Sequence, residues 1–134
     1  MCDKEKFILY VDDDADDREM LTEAIHKADP MVKVRLAENG LQALHVLHEV
    51  KKTRLPCLIV LDLNMPFLDG KEVFQRLKND EELDGVPVLI FSSSEKPDDK
   101  AGFNSMGIEY FSKPSHFSHL EQIASHMVSI CCKA

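Results

Sequence analysis

Several kinds of segment are missing from this 134-residue chain. No apolar run approaches the roughly 20 residues of a membrane-crossing helix. The opening "MCDKEKF" has no apolar core of the kind a secretory leader carries. Neither a membrane span nor export is therefore expected. Basic residues are scarce: 16 Lys and Arg stand against 24 Asp and Glu, a net charge of −8. Binding to duplex nucleic acid needs clustered cations to neutralise phosphates, so nucleic-acid binding is not expected, and anionic lipid is disfavoured for the same reason. The four cysteines, Cys2, Cys57, Cys131 and Cys132, form no CxxC pair and no disulfide-framework spacing. Cys131 and Cys132 are neighbours and make a poor pair, and Cys57 opens an apolar run as a core residue would. The expectation is a reducing, cytoplasmic setting. Internal repeats, low-complexity tracts and interdomain linkers are also missing. One domain over 1–134 is expected, with a core at about 6–130 and no output domain.

What is present alternates. "KFILYV" (6–11), "KVRLAE" (33–38), "CLIVLD" (57–62), "VPVLIFS" (86–92) and "IEYFS" (108–112) read as strands. Between and after them lie helical patterns at 15–28, 41–52, 71–80, 98–107 and from Ser118 onward. The first helix presents Met20, Leu21, Ala24 and Ile25 on one face. The second presents Leu41, Leu44, Leu47 and His48, and the third Val73, Phe74 and Leu77. Ser118 with Glu121 three residues on forms a capping-box pattern for the last helix. His45, His48 and Glu49 read as solvated side chains rather than metal ligands. Strands alternating with helices imply a (βα)5 doubly wound α/β fold with a parallel sheet covered on both faces.

In such a sheet every strand delivers its last residue to one rim, where ligands bind. The first strand delivers Asp12 and Asp13, the third Asp62, the fourth Ser92, and the fifth is followed by Lys113. Three carboxylates, a hydroxyl and an ammonium should share one mouth. Crowded carboxylates repel, and Mg2+ suits such an oxygen-only set while keeping several waters. The formal charges of three Asp, one Lys and that ion cancel. A carboxylate there is a competent nucleophile towards phosphorus. Lys113 and Ser92 are placed to hold phosphoryl oxygens, which is most of what phosphoryl transfer requires.

"VDD" (Val11–Asp13), "DLNMP" (Asp62–Pro66) with "DG" (Asp69, Gly70), "FSSS" (Phe91–Ser94) and "YFSKP" (Tyr110–Pro114) together make the chain resemble the receiver domain of two-component response regulators, of the stand-alone chemotaxis type. The resemblance spans about residues 6–130. It implies a flavodoxin-like sheet of strand order 2-1-3-4-5, with Asp62 as phosphoacceptor. It implies Mg2+ held by Asp13, Asp62 and the backbone carbonyl of Asn64, with Asp12 reaching through water. It also implies Ser92 as the switch hydroxyl, Tyr110 as the aromatic that turns inward with it, Lys113 as the phosphoryl-binding lysine, and a cis Lys113–Pro114 bond. Asn64 and Ser94 occupy the positions that tune dephosphorylation. Three acids follow Val11; Asp12 and Asp13 directly continue the apolar run, which leaves Asp14 to start the first helix. Ser92 stands where many receivers carry Thr, which leaves a hydroxyl without the methyl that restricts its rotamer.

The implied function is a phosphorylation switch rather than a turnover enzyme. A sensor histidine kinase or phosphotransfer protein supplies the phosphoryl group. The face of the fourth helix, fifth strand and fifth helix then signals to a downstream protein target. Onward relay of the phosphoryl group and a weak or phosphorylation-dependent homodimer stay open. The rival is a Mg2+-dependent phosphatase with an aspartyl nucleophile. That chemistry wants a general acid two residues after the nucleophile, and Asn64 cannot serve.

Overall fold

The computed structural model describes residues 5–93 and 96–132. Ten elements follow in order: β1 (Phe7–Val11), α1 (Ala15–Ala28), β2 (Lys33–Ala37), α2 (Gly40–Val50), β3 (Leu58–Leu61), α3 (Gly70–Lys78), β4 (Val88–Ser92), α4 (Pro97–Ser105), β5 (Glu109–Ser112) and α5 (Phe117–Cys131). The strands form one sheet in the order β2-β1-β3-β4-β5, and every pairing is parallel. This is the expected doubly wound, flavodoxin-like order.

The pattern of apolar residues explains the layering. β1 "FILYV", β3 "LIVL" and β4 "VLIFS" are buried at every position, as central strands covered on both faces must be. Alternate residues then serve opposite faces. Leu9, Val11, Ile59, Leu61 and Ile90 pack under α2, α3 and α4, with Val46, Phe74 and Phe103 among their neighbours. Ile8, Tyr10, Val60, Leu89 and Phe91 pack under α1 and α5, against Leu21, Ile25, Leu120 and Met127.

The helix starts follow capping chemistry. The Asp14 side chain accepts the backbone N–H of Asp17 at α1, and Asn39 that of Gln42 at α2. Asp69 and Glu72 form a reciprocal capping box at α3.

Four local expectations are corrected. Helix α2 buries Ala43, Val46, Leu47 and Val50, while Leu41 and His48 face solvent. Two stripes of similar spacing compete on this helix, and the one with small Ala43 lies against the sheet. Helix α5 starts at Phe117 with His116 as its N-cap and no side-chain cap. Ser118 is therefore inside the first turn, and Glu121 pairs with Lys27 of α1 at 2.7 Å instead of closing a capping box. No cis peptide bond occurs among the described residues, so Lys113–Pro114 is trans. Trans is the ordinary preference of an X-Pro bond. Finally, Cys57 and Cys131 are joined by a disulfide, with Cα atoms 5.0 Å apart. Cys57 sits just before β3, and its backbone N–H donates to the Phe7 carbonyl. The end of α5 crosses above it, a proximity that a separation of 74 residues hides in the sequence.

Closing a loop of that length constrains the unfolded chain by about 4 kcal/mol in the loop-entropy model. Reduction with dithiothreitol should therefore lower the urea midpoint of the wild type. Without reductant, Cys131→Ser should show a lower midpoint than the wild type. A wild-type midpoint indifferent to reductant would remove the staple from the stability of the fold.

Candidate functional site

The C-terminal rim of the sheet gathers the charged residues. Asp12 follows β1 and is fully buried; Asp62 follows β3 and Ser92 ends β4, both also buried. Lys113 follows β5, its backbone N–H donating to the Ser92 carbonyl. Its Nζ lies 2.8 Å from Asp12 Oδ2, 2.8 Å from Asp17 Oδ2 and 3.2 Å from Asp62 Oδ2. An ammonium has three hydrogens and no lone pair, and each hydrogen meets a carboxylate. Burial alone would lower the Lys113 pKa. The hydrogen bonds to Asp12 and Asp17 and the charge of Asp62 reverse that effect and raise it above the ordinary lysine value.

Asp62 is engaged at both oxygens. Oδ1 accepts from the Ser92 hydroxyl at 2.7 Å and from the Asn64 backbone N–H at 3.3 Å, while Oδ2 takes Lys113. The loop carrying it is braced by close backbone approaches. A Cβ on Gly70 would lie 2.3 Å from the Asp62 carbonyl oxygen, and one on Gly40 would lie 2.2 Å from that of Leu68. Between them the chain turns at Phe67, with φ of 69°. The Leu68 N–H donates back to the Pro66 carbonyl across this residue, a γ-turn of the rarer, strained hand.

Asp12 is held as tightly. Its Oδ1 accepts the Asp14 N–H at 2.9 Å, its Oδ2 accepts the Tyr10 hydroxyl at 2.5 Å, and its carbonyl accepts from Arg18 Nη1 at 2.8 Å. Asp13 is exposed beside it. One carboxylate oxygen from each of Asp12, Asp13 and Asp62 lies within 4.8 Å of the others. Three hard oxygen donors, one of them open to solvent, fit a Mg2+-like cation that retains water ligands. Asp14 is the N-cap of α1, so the choice of Asp12 and Asp13 as the rim pair agrees with the geometry.

Tyr110 is buried on β5, its ring 6.3 Å from that of Phe103 in α4. Asn64 is exposed, with its N–H turned to Asp62. Ser94 lies outside the described residues.

Two residues of the site were missed in the sequence. Asp17, one acid in the run 12–17, holds Lys113. Tyr10, inside the apolar run of β1, commits its hydroxyl to Asp12. The signal for Tyr10 was its parity: residues 10 and 12 share one face of β1, so a phenol there necessarily approaches the carboxylate.

Comparison with known proteins agrees with this fold. The family model described as "Response regulator receiver domain" matches residues 8–125. The response regulator Rcp1 of Synechocystis is 32% identical over 97 residues, covering 70% of this chain and 66% of that protein. A protein-glutamate methylesterase/protein-glutamine glutaminase of Syntrophomonas wolfei is 32% identical over 113 residues. The match takes in 82% of this chain but only 30% of the length of that enzyme. Among solved structures, the phosphorylated cyanobacterial phytochrome response regulator RcpA superposes with a TM-score of 0.82 at 30% identity, covering 92% of this chain and 91% of that one. A Mn2+-bound form of Rcp1 superposes with the same TM-score at 26% identity, covering 96% of each chain.

The Tyr10 contact has a measurable consequence. Burial first, then the charge and hydrogen bond of Asp12, push the phenol far above its usual range. The unfolded phenol loses its proton near pH 10, so above about pH 10 the unfolded state binds fewer protons and stability falls by about 1.4 kcal/mol per pH unit for this group. In Tyr10→Phe that part of the alkaline decline should vanish, as read by urea unfolding between about pH 9 and 11. Equal slopes in the two proteins would place the Tyr10 hydroxyl in contact with water.

Proposed function

The chain belongs to the response regulator receiver domain family, and from that premise we propose that Asp62 is the phosphoacceptor of a phosphorylation switch. Members of this family act in phosphorylation-dependent signalling. The donor is a phosphohistidine on a sensor histidine kinase or a phosphotransfer protein. An Asp62 carboxylate oxygen attacks phosphorus in line, the P–N bond breaks, and its electron pair stays on the imidazole. The observation that carries this reading is the pair of contacts on Asp62: the Ser92 hydroxyl on one oxygen and the Lys113 ammonium on the other. Both groups come from distant points in the chain, and both are the donors that a phosphoryl group at Asp62 requires.

Asp13, Asp62 and the Asn64 carbonyl would hold Mg2+, with Asp12 reaching it through water. The ion would neutralise charge between the carboxylates and the incoming phosphoryl oxygens. The Mn2+-bound form of Rcp1 supports this part of the reading by similarity.

Ser92 and Lys113 then transfer their hydrogen bonds from the carboxylate to phosphoryl oxygens. Tyr110, packed on Phe103, passes the displacement to the face made by α4, β5 and α5, where a downstream protein reads it. Only a partner that binds the two forms differently receives the signal. Residues 1–134 act as one receiver unit, a stoichiometric carrier that catalyses its own phosphorylation and dephosphorylation. Cytoplasmic action, near the kinase, belongs to the same proposal. A reducing cytoplasm would hold Cys57 and Cys131 as thiols.

Incubation with acetyl phosphate and Mg2+, followed by intact-protein mass spectrometry, tests the proposal. Wild type should gain one hydroxylamine-labile phosphoryl group, and Asp62→Asn should gain none. Ser92→Ala should accumulate it about tenfold or more slowly, since one donor to the developing charge is gone. A wild type that stays unmodified, or an adduct that survives in Asp62→Asn, would refute the assignment.

A further inference from the structure

Two of the three carboxylates that hold Lys113 also face the cation that this rim would hold, Asp62 directly and Asp12 through water. Asp12 and Asp62 each contribute an oxygen to the cluster with Asp13, and each also accepts from Lys113 Nζ. A divalent cation there competes for those oxygens and repels the ammonium. The third acceptor is different. Asp17 lies outside the cluster, on the α1 side of Lys113, and its Oδ2 is 2.8 Å from Nζ.

Its position is built in. Asp17 is the third residue of α1, and its backbone N–H is fixed by the Asp14 side chain at 3.0 Å. Arg18, the next residue, ties the same turn to the Asp12 carbonyl. The Asp17 side chain is only 27% exposed. Asp16, one residue earlier, is exposed, and the ion pairs of Lys113 are with Asp12, Asp17 and Asp62 instead.

We propose that Asp17 is the positioning residue for Lys113, holding the ammonium at the phosphoryl seat through the one contact whose acceptor lies outside the Asp12, Asp13 and Asp62 cluster that faces the cation. The proposal rests on the phosphoacceptor reading of Asp62 for its purpose, but not for its geometry. Without Asp17 the lysine loses its one acceptor outside the cation site once the cation takes Asp62 and engages Asp12 through water. With Asp17 it stays within reach of a phosphoryl oxygen while both charges share the site. A fourth carboxylate beside three others costs repulsion, and its direct bond to Lys113 is the compensation.

Asp16→Ala is the control, because it removes the same formal charge from the same helical turn without touching Lys113, while Asp17→Ala removes the acceptor itself. The first measurement is the nitrogen-15 NMR signal of the Lys113 ammonium, assigned by its absence in Lys113→Arg. A hydrogen-bonded ammonium exchanges slowly enough to be seen. The signal should persist through a Mg2+ titration in wild type and in Asp16→Ala, and should broaden away at saturating Mg2+ in Asp17→Ala. Asp17→Glu should restore it at least in part. The second measurement is the rate of modification by acetyl phosphate at saturating Mg2+. It should fall about tenfold in Asp17→Ala, as expected for a misplaced group, and stay within about twofold of wild type in Asp16→Ala. Persistence of the signal in Mg2+-saturated Asp17→Ala would overturn the proposal, as would equal rate losses in the two variants, which would mark a general charge effect. A wild type that accepts no phosphoryl group would refute the phosphoacceptor reading, while the NMR titration would still decide the hydrogen bond.

Discussion

The Lys113 ammonium is the constraint on which the rim depends. It is the one cation within ion-pair distance of the Asp12, Asp17 and Asp62 carboxylates among the described residues. Carboxylates this close, two of them buried, repel strongly in a low-dielectric setting. A surface ion pair would be worth little, about 1 kcal/mol or less. Here the side chain of Lys113 is 13% exposed and that of Asp12 not at all, so removing the cation would leave unpaired buried charge, which typically costs about 3–5 kcal/mol. The neighbouring donors complete the arrangement. Tyr10, Ser92 and the backbone N–H groups of Asp14 and Asn64 satisfy the carboxylate oxygens that Lys113 does not saturate. No buried side-chain nitrogen or oxygen among the described residues lacks a partner.

The fold makes this convergence possible by direction alone. Parallel strands end on one edge, so Asp12, Asp62, Ser92 and Lys113 need only follow their strands to meet. The braces at Gly40 and Gly70 then set the height of the loop behind Asp62. Both positions lack a Cβ where backbone carbonyls approach to 2.2 and 2.3 Å of where it would stand. The same packing carries outward through Tyr110 and Phe103 to α4, whose buried contribution is Phe103. A helix anchored by so little apolar surface is suited to shift.

Much of this was legible in the amino-acid order. The continuous apolar runs of β3 and β4 announced strands covered on both faces, and the polar residues expected at one rim do meet there. The face of α2 was only partly legible: Leu47 lies inward as its spacing predicts, but Leu41 and Ala43 each continue a stripe of the same helical period, and only the sheet chooses between them. The start of α5 was misread for a related reason: the Ser118–Glu121 pattern is local, but Glu121 is drawn to Lys27 of another helix. The Cys57–Cys131 bond joins residues whose nearness exists only after β3 and α5 have packed. Asp17 was hidden in a run of acids, where composition alone cannot say which one turns inward.

The most direct test of this account is the thermal stability of Lys113→Met in chelator and in Mg2+. If the ammonium neutralises the rim, the substitution should lower Tm by roughly 10 °C in chelator. Mg2+ should then raise Tm far more in the variant than in wild type, because the cation takes over the lost charge. A variant as stable as wild type in chelator, with no added response to Mg2+, would contradict the claim that Lys113 holds these carboxylates together.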